Sequence, residues 1–537
     1  MRTVARGPFS SLGTLIVIAG SLILVGANAP GAGAANEGEF AWAWGAVLGN
    51  GTNTLSATPV PVAMPRGVSF SAVSAGEVSD LAIEASGQAW SWGSNTYGQL
   101  GIGSTTGKNA PVRVSMPPGV QFTTVSAGDQ GLGGDSLALD STGRAWSWGF
   151  NVYGELGNGT TTGPDRCPTG QVSKQPCGTR PSPVLMPPGV IFNAISGGFT
   201  FTVALDSTGH AWSWGLNNYG QLGNGTTTGS TTCSGLPCTP NPVAVSMPPG
   251  VTFTAVAAGG ESALALDSQG HVWSWGLNAD GELGNGTTIN SSIPVQVTMP
   301  SGTTFTSMAL GSFNSLALDT TGQAWSWGSN QSGELGTGTT GGPKTCNGDI
   351  PCSPVPVAVA MPPGTTFTTV SAGEVNDQAL DSNGNAWTWG SNGSGQLGIG
   401  TTSGPDLCFG LPCSPGPVAV LMPANVTFNA VSTGNGLALA LTDHNPLDIT
   451  STSLPPGSVN VHYSDTLTAS GGNPPYKWSI VAGSLPPGLR LFHRTGSLSG
   501  TPTATGTFAF TVQVHDHRTS DPATQDFATQ SFSLTVS

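Results

Sequence analysis

The tetrapeptide Trp-x-Trp-Gly occurs seven times, beginning at Trp42, Trp90, Trp146, Trp212, Trp273, Trp325 and Trp387. With their second members Trp44, Trp92, Trp148, Trp214, Trp275, Trp327 and Trp389, these copies take 14 of the 15 tryptophans. Successive copies lie 48, 56, 66, 61, 52 and 62 residues apart, so a unit of variable loop length recurs along the chain. A unit of this size cannot bury its apolar face alone and must stack on its neighbours. Residues two apart in a strand face the same way. The paired indoles therefore load one face of each unit, while Ala89 and Ser91 leave the other nearly flat. Each indole buries on the order of 200 Å², an upper bound of about 5 kcal/mol at roughly 25 cal/mol per Å². All fourteen are expected to be core.

Three further signatures repeat in register. After most Trp-x-Trp-Gly copies comes Gly-(Gln/Glu)-Leu-Gly, starting at Gly98, Gly154, Gly220, Gly281, Gly333 and Gly395; the first copy keeps only Leu48-Gly49 in a shortened loop. An outer Pro-Val-x-Val-x-Met-Pro strand follows, as at Pro242 to Pro248. Each unit then closes on a Phe-led strand, a small turn and a Leu-Ala-Leu-like strand, starting at Phe70, Phe122, Phe192, Phe253, Phe305, Phe367 and Phe428. Six of the Leu-Ala-Leu strands run into Asp or Glu, two residues and Gly, as in Asp206 to Gly209, which suits a type I turn with a left-handed exit. Three or four short strands per unit make a propeller blade. The last Leu-Ala-Leu strand, ending at Asp443, has no following Trp strand, and Trp42 to Gly45 has no preceding strand. Pairing these orphans closes a seven-bladed ring and leaves no free sheet edge.

Composition agrees. Only 8% of the residues are Asp, Glu, Lys or Arg, while Gly (80) and Pro (42) are abundant, which excludes helical bundles and coiled coils. The 15 Trp and 19 Phe argue against disorder. A net charge of -14 makes nucleic acid an improbable partner.

The motif Trp-Gly-x-Asn-x-x-Gly-(Gln/Glu)-Leu-Gly, whole at Trp92 to Gly101 and Trp214 to Gly223, resembles that of the regulator of chromosome condensation repeat family, a seven-bladed propeller. The resemblance covers residues 39–443. That family often places His just before the Leu-Ala-Leu strand; here those positions read Ser79, Phe201, Ser262, Asn314, Asn376 and Leu437, with the copy near Asp135 ambiguous. Its best-known members exchange guanine nucleotide on a small GTPase and sit on chromatin. A Lys-poor, acidic, exported chain suits neither task, so the resemblance implies the scaffold and not the activity.

Export is read from the N-terminus. Arg2 and Arg6 precede an apolar run from Leu12 to Val25 and a small-residue stretch, the order of a signal peptide with cleavage expected after Ala34. The run is short for a membrane span, and no transmembrane segment is expected after cleavage. The eight cysteines form four close pairs, Cys167/Cys177, Cys233/Cys238, Cys346/Cys352 and Cys408/Cys413. Each lies between the Gly-x-Leu-Gly motif and the Pro-Val strand, and the measurable units carrying them are the long ones. Each pair is expected to staple its own loop as a disulfide; zinc would need four converging ligands, and each pair sits on a different blade.

Beyond the propeller (residues 35–443), residues 444–537 change character. Alternating runs such as Phe508 to Val514 and Phe532 to Val536 predict a β-sandwich. Through Gly471 to Tyr476, Trp478, Leu485 to Leu489 and Gly500 to Pro502, this part resembles the bacterial immunoglobulin-like module found in tandem on surface proteins, which implies a spacer or adhesive unit. Trp478 is its expected core aromatic. Asp516, Asp521 and Asp526 form no recognisable calcium loop, and no metal or cofactor is expected.

No catalytic motif is present. His210 and His271 sit at turns before Trp strands, where a solvated role is expected. The loops before the Leu-Ala-Leu strands carry Glu77, Asp129, Glu261 and Glu374, with Phe199, Phe201 and Phe313 from the same loops on other blades. Equivalent loops share one rim, so these residues are the candidate binding surface. The expectation is an exported, non-catalytic, protein-binding or adhesive protein acting on another extracellular protein or a cell-surface component. Some secreted bacterial relatives implied by the resemblance inhibit enzymes. The rival reading, a lyase or hydrolase of wall polymers, would want His, Arg and carboxylates clustered on one rim. Nucleotide exchange would want an intracellular setting.

Overall fold

The computed structural model describes residues 17–18, 21–22, 40–65, 68–128, 134–169, 173–423, 426–442, 447–471, 475–516 and 527–537. The expected cleavage point after Ala34 lies outside them. By internal contacts the chain divides into two units, residues 1–422 with 427–443 and residues 423–426 with 444–537.

The first unit is a ring of seven antiparallel blades. In the first blade the strands Phe70–Ala75, Ser79–Glu84, Ala89–Gly93 and Lys108–Arg113 neighbour one another in that order. The closing blade is made from both ends: Ala430–Gly434 and Leu437–Thr442 are continued by Phe40–Gly45 and Ser56–Pro61, with Trp42 opposite Ala440 and Trp44 opposite Ala438. Not one but two N-terminal strands complete it. Four blades carry a fifth strand, supplied by the cysteine-bearing insertions. All four cysteine pairs are bonded within their own insertion, Cys167–Cys177, Cys233–Cys238, Cys346–Cys352 and Cys408–Cys413. Bonds of this kind mark a chain that matures in an oxidising environment.

The indoles form the core in two layers with different jobs. The second Trp of each pair is fully buried and stacks on the Phe of its own blade, as Trp148 does on Phe122 at 6.0 Å and Trp44 on Phe428 at 5.9 Å. This plate presses on the blade before it in the chain. Phe192, Ile195 and Trp214 of the third blade cluster with Leu137, Leu139, Ala145 and Val184 of the second. The receiving face is therefore not flat, as the Ala and Ser of the Trp strand alone imply; leucines of the second strand fill it. In six of the seven pairs the first Trp is tied by its indole N–H to the turn carboxylate, as Trp146 to Asp140 at 2.9 Å and Trp325 to Asp319 at 3.0 Å. The five aspartates among these carboxylates also accept backbone amides two and four residues on, as Asp206 does from Thr208 and His210, so turn and core share one anion.

The first strands of successive blades are stitched by hydroxyls. Ser74, Ser126, Ser196, Ser371 and Ser432 each accept the amide of the next blade's first strand, at 2.9–3.2 Å. The bond from Ala75 to Ser432 joins the first blade to the last and closes the circle.

The second unit is a small sandwich. One sheet holds Lys477–Gly483, Gly506–His515 and Phe527–Val536; another holds Tyr463–Thr466, Ser497–Gly500 and Leu489–Leu491. Trp478 is buried among Phe510, Val512, Val514, Phe532 and Leu534. Asp521 and Asp526 lie outside the described residues. No helix among the described residues is long and apolar enough to cross a membrane.

Candidate functional site

The loops between first and second strands gather at one mouth of the ring. Their approach is so close that a Cβ on Gly259, Gly311 or Gly434 would collide with the carbonyl oxygen of Gly311, Gly373 or Gly76 on the next blade. Glycine is the residue that permits it. The residues just after this glycine collar therefore crowd together.

Register shows which of them are equivalent. Ser79, Asp135, Phe201, Ser262, Asn314, Asn376 and Leu437 each pair with the Gly that ends a Trp-x-Trp-Gly motif, which settles Asp135 as the seventh member. Counting back two residues, Glu77, Phe199, Glu374 and Asn435 share one position, while Gly260 and Ser312 occupy it on the other described blades. Glu261 and Phe313 lie one residue later, aligned with Val78, Thr200 and Val375: the carbonyls of all five accept the amide after the Trp-x-Trp-Gly motif. The acidic residues that look comparable in sequence thus divide into two sets. Asp129 lies outside the described residues.

Glu77 and Glu374 are half-buried on either side of Asn435, which donates to Glu77 Oε1 at 3.3 Å and also bonds Glu374. Burial, chiefly, raises both carboxyls above the ordinary range, and the Glu77 charge raises Glu374 further. The Oε2 atoms of both are buried with no hydrogen-bond partner among the described residues. Phe199 and Phe313 meet edge to face at 6.5 Å across the intervening blade, both half-buried. Glu261 is committed inward: Thr200 donates to it at 3.0 Å and Gln221 Nε2 also bonds it, and burial lifts its pKa to about 7. Phe201 is a correction to the rim reading. It is 1% exposed, packed between blades with Val203 and Leu205, because it is the first residue of a strand whose face points into the stack. The mouth therefore presents a carboxyl–amide–carboxyl arc and an aromatic pair.

Sequence reasoning missed a second set of carboxyls. The Gln or Glu of each Gly-x-Leu-Gly motif is buried, and its side-chain oxygen accepts the amide two residues earlier, as Glu155 does from Tyr153 at 2.8 Å and Glu334 from Ser332 at 2.7 Å. Glu155, Glu282 and Glu334 all have pKa values raised by burial, the last two to about 7. Asp135, fully buried beside the second blade's loop, is raised to about 8. The signal was visible: an amide serves this position on three blades, so the acid is an acceptor there and not a charge. His210 and His271 stand beside the turn carboxylates Asp206 and Asp267. Among the described residues, no three His, Cys, Asp or Glu side chains converge as a metal site.

Comparison with known proteins accords with this architecture. Residues 168–447 match the RCC1-like domain family, residues 86–131 the regulator of chromosome condensation (RCC1) repeat, and residues 440–537 the family described as "Putative Ig domain". The Ultraviolet-B receptor UVR8 of Arabidopsis thaliana is 27% identical over 301 residues, 56% of this chain and 62% of the receptor. The mitochondrial RCC1 domain-containing protein RUG3 of the same plant is 28% identical over 315 residues, 58% of this chain and 63% of RUG3. The chain thus matches less than two thirds of the length of either. Yeast RCC1 (Prp20), solved bound to Kap60, superposes with a TM-score of 0.62 at 21% identity over 82% of this chain and 96% of its own; human WBSCR16 does so at 0.60 and 20%, over 75% and 98%. These likenesses establish the fold. With more than half its length matched by one family model and seven blades in register, the chain belongs to the RCC1-like domain family, with an immunoglobulin-like domain at its C-terminal end.

Proposed function

We propose that this is a non-catalytic binding protein of the extracellular space or cell surface, using the glycine-collared mouth to hold a protein partner while the immunoglobulin-like unit serves as spacer or attachment. The observation that carries the reading is the mouth's inventory. Two half-buried glutamates, each with an unpartnered oxygen, flank one amide beside an edge-to-face aromatic pair. Such a surface suits a partner loop that inserts a basic side chain between apolar neighbours, since a charge-assisted bond in a desolvated site outweighs one at an exposed rim. Export is supported by the leader pattern and the four disulfides.

The test is affinity capture from culture supernatant and surface extract, followed by mass spectrometry. The bait is the wild type beside a Glu77→Lys/Glu374→Lys/Phe313→Ser variant. Glu261 is left untouched because it holds the fold. A protein retained by the wild type and lost from a variant of unchanged melting temperature supports the reading; equal retention by both removes it.

A further inference from the structure

Six of the seven blade junctions are sealed by the same loop. From the Gly of Trp-x-Trp-Gly to the last Gly of Gly-x-Leu-Gly the chain always takes eight steps, as from Gly93 to Gly101 or Gly276 to Gly284. In the closing blade it takes four, from Gly45 to Gly49. At a filled junction the loop's first Gly lies against the outer strand of the following blade. A Cβ on Gly98 would stand 2.8 Å from the Gly178 carbonyl oxygen, one on Gly220 2.6 Å from Ser292 Cα, and one on Gly281 2.7 Å from Pro354 Cα. At the junction between the closing and first blades that glycine and its three predecessors are missing. A groove of about 680 Å³ stands there, with Val47, Leu55, Trp92, Ser94, Lys108 and Asn109 in its wall. Register identifies it as the loop's place: Lys108 pairs with Gly93 as Gly178 pairs with Gly149.

The shortened loop carries two marks of an incomplete junction. Val47, in the position of Gln99, is held at φ 51°, a conformation that a β-branched residue adopts only under constraint. The Trp92 indole N–H has no acceptor in hydrogen-bond geometry, the Asp80 carboxyl opposite it in register giving only a loose polar contact. At five other junctions the equivalent indole donates to the carbonyl of the loop's Gln or Glu, as Trp148 to Gln99 at 2.8 Å and Trp327 to Glu282 at 2.8 Å. Trp44, on the other side of the closing blade, also lacks this bond although its loop is complete. The missing residues, and not the indole alone, therefore define the site.

The filled junctions also show what fits. The residue before the loop's first Gly is Tyr97, Tyr153 or Tyr219 where the following blade offers Phe150, Leu216 or Leu277, and Asp280, Ser332 or Ser394 where it offers Ser329, Ser391 or Ala46. Tyr97 packs on Phe150 at 4.9 Å. In the open groove the corresponding wall residue is Ser94, so a small polar residue belongs beside it, and Lys108 favours an acid. We propose that this groove is a docking slot for an exposed turn of a partner polypeptide in which a small polar residue, aspartate above all, precedes glycine, the turn standing in for the four residues that the first unit lacks. The slot is independent of the mouth.

The probe is an acetylated, amidated peptide Asn-Ala-Asp-Gly-Glu, the chain's own residues 278–282, titrated into the full chain labelled with ¹⁵N-tryptophan. The Trp92 indole signal is assigned with Trp92→Phe. We expect this signal to move saturably, with binding at least about tenfold weaker for the same peptide with Val in place of Gly. A similar loss is expected for a variant with Asn-Ala-Asp-Gly inserted between Ala46 and Val47. Should that insertion disturb folding, Leu55→Ala/Lys108→Ala, at exposed wall positions, is expected to weaken binding several-fold. An unmoved Trp92 signal, or equal binding of the Val peptide, would overturn the proposal.

Discussion

At the scale of single residues, every member of the repeated motif has a structural task. Asn95 Oδ1 accepts the Leu100 amide while its Nδ2 donates to the Ser104 and Thr106 carbonyls; Ser91 holds the Leu100 carbonyl at 2.7 Å. The same set recurs at Asn217 and Ser213. These residues repeat because they close a loop, and none marks a ligand. The Gln/Glu position is the instructive one. Its oxygen accepts a backbone amide in either form, but burial penalises the ionised acid. Glu334, with pKa about 7, has a folded-state value above its ordinary 4.5. Its favourable contribution is complete below pH ~4.5 and is lost as pH rises through about 7. Glu334→Gln keeps the acceptor and removes the charge. We expect it to leave the urea midpoint unchanged at pH 4.5 and to raise stability at pH 8 by on the order of 1–3 kcal/mol. Equal midpoints at pH 8 would show that the position does not ionise there.

At the scale of elements, the cysteine hairpins are additions to complete blades. Two of them turn on a pair of left-handed residues, Ser234-Gly235 and Phe409-Gly410, as a two-residue hairpin of the primed type requires; the hairpin after Cys346 has the same left-handed pair, Asn347-Gly348, in a loop one residue longer. Closing so short a loop contributes about 2 kcal/mol. Because each is the outermost strand of its sheet, it opens locally before the ring does. Cys408→Ser/Cys413→Ser is therefore expected to raise proteolytic nicking within residues 403–413, through roughly a 30-fold gain in local opening. The global unfolding midpoint should barely move; a large fall would place the hairpin inside the cooperative core. These elements were legible because insertion length and cysteine pairs coincide, and the strands were legible because Trp-x-Trp and Asp-x-x-Gly fix both period and turn. The mouth was legible only in part. Glu261 and Glu374 look alike from the motif before them, yet Gly260 takes the position of Glu374 and sets Glu261 one residue later, where Thr200 and Gln221 hold it. Phe201 failed for the same reason. An aromatic beside a loop reads as exposed until register shows that it is already in the strand.

At the scale of the whole molecule, two consequences follow from ring closure and from the buried acids. Among the described residues, the strands Phe40–Gly45 and Ser56–Pro61 alone cover this edge of Leu437–Thr442. Removing residues 40–61 leaves an apolar edge strand, and the expected result is loss of the cooperative transition with association of open rings, read by size-exclusion chromatography. The second consequence concerns pH. Five turn carboxylates, Asp140, Asp206, Asp267, Asp319 and Asp381, are held below the ordinary range: partial burial works against this, but Trp indoles and turn groups donate to them and prevail. Their contribution is present above pH ~4 and lost as pH falls below it. The interior carboxyls act oppositely. Glu261, Glu282 and Glu334 are raised to about 7 and Asp135 to about 8, with Asp80, Glu155 and Asp377 also raised by burial. Each favours the folded ring while protonated and penalises it once ionised, so their contribution falls between pH ~5 and 8. The net charge of -14 adds self-repulsion in the same direction. Between these limits stability should peak near pH ~5, and urea midpoints should be higher at pH 5 than at pH 8.5. A Glu155→Gln/Glu282→Gln/Glu334→Gln variant should flatten the alkaline limb and leave the acid limb in place, because the turn aspartates are untouched. A wild type equally stable at both pH values would mean that the interior acids stay protonated throughout or reach water that the closed ring denies them.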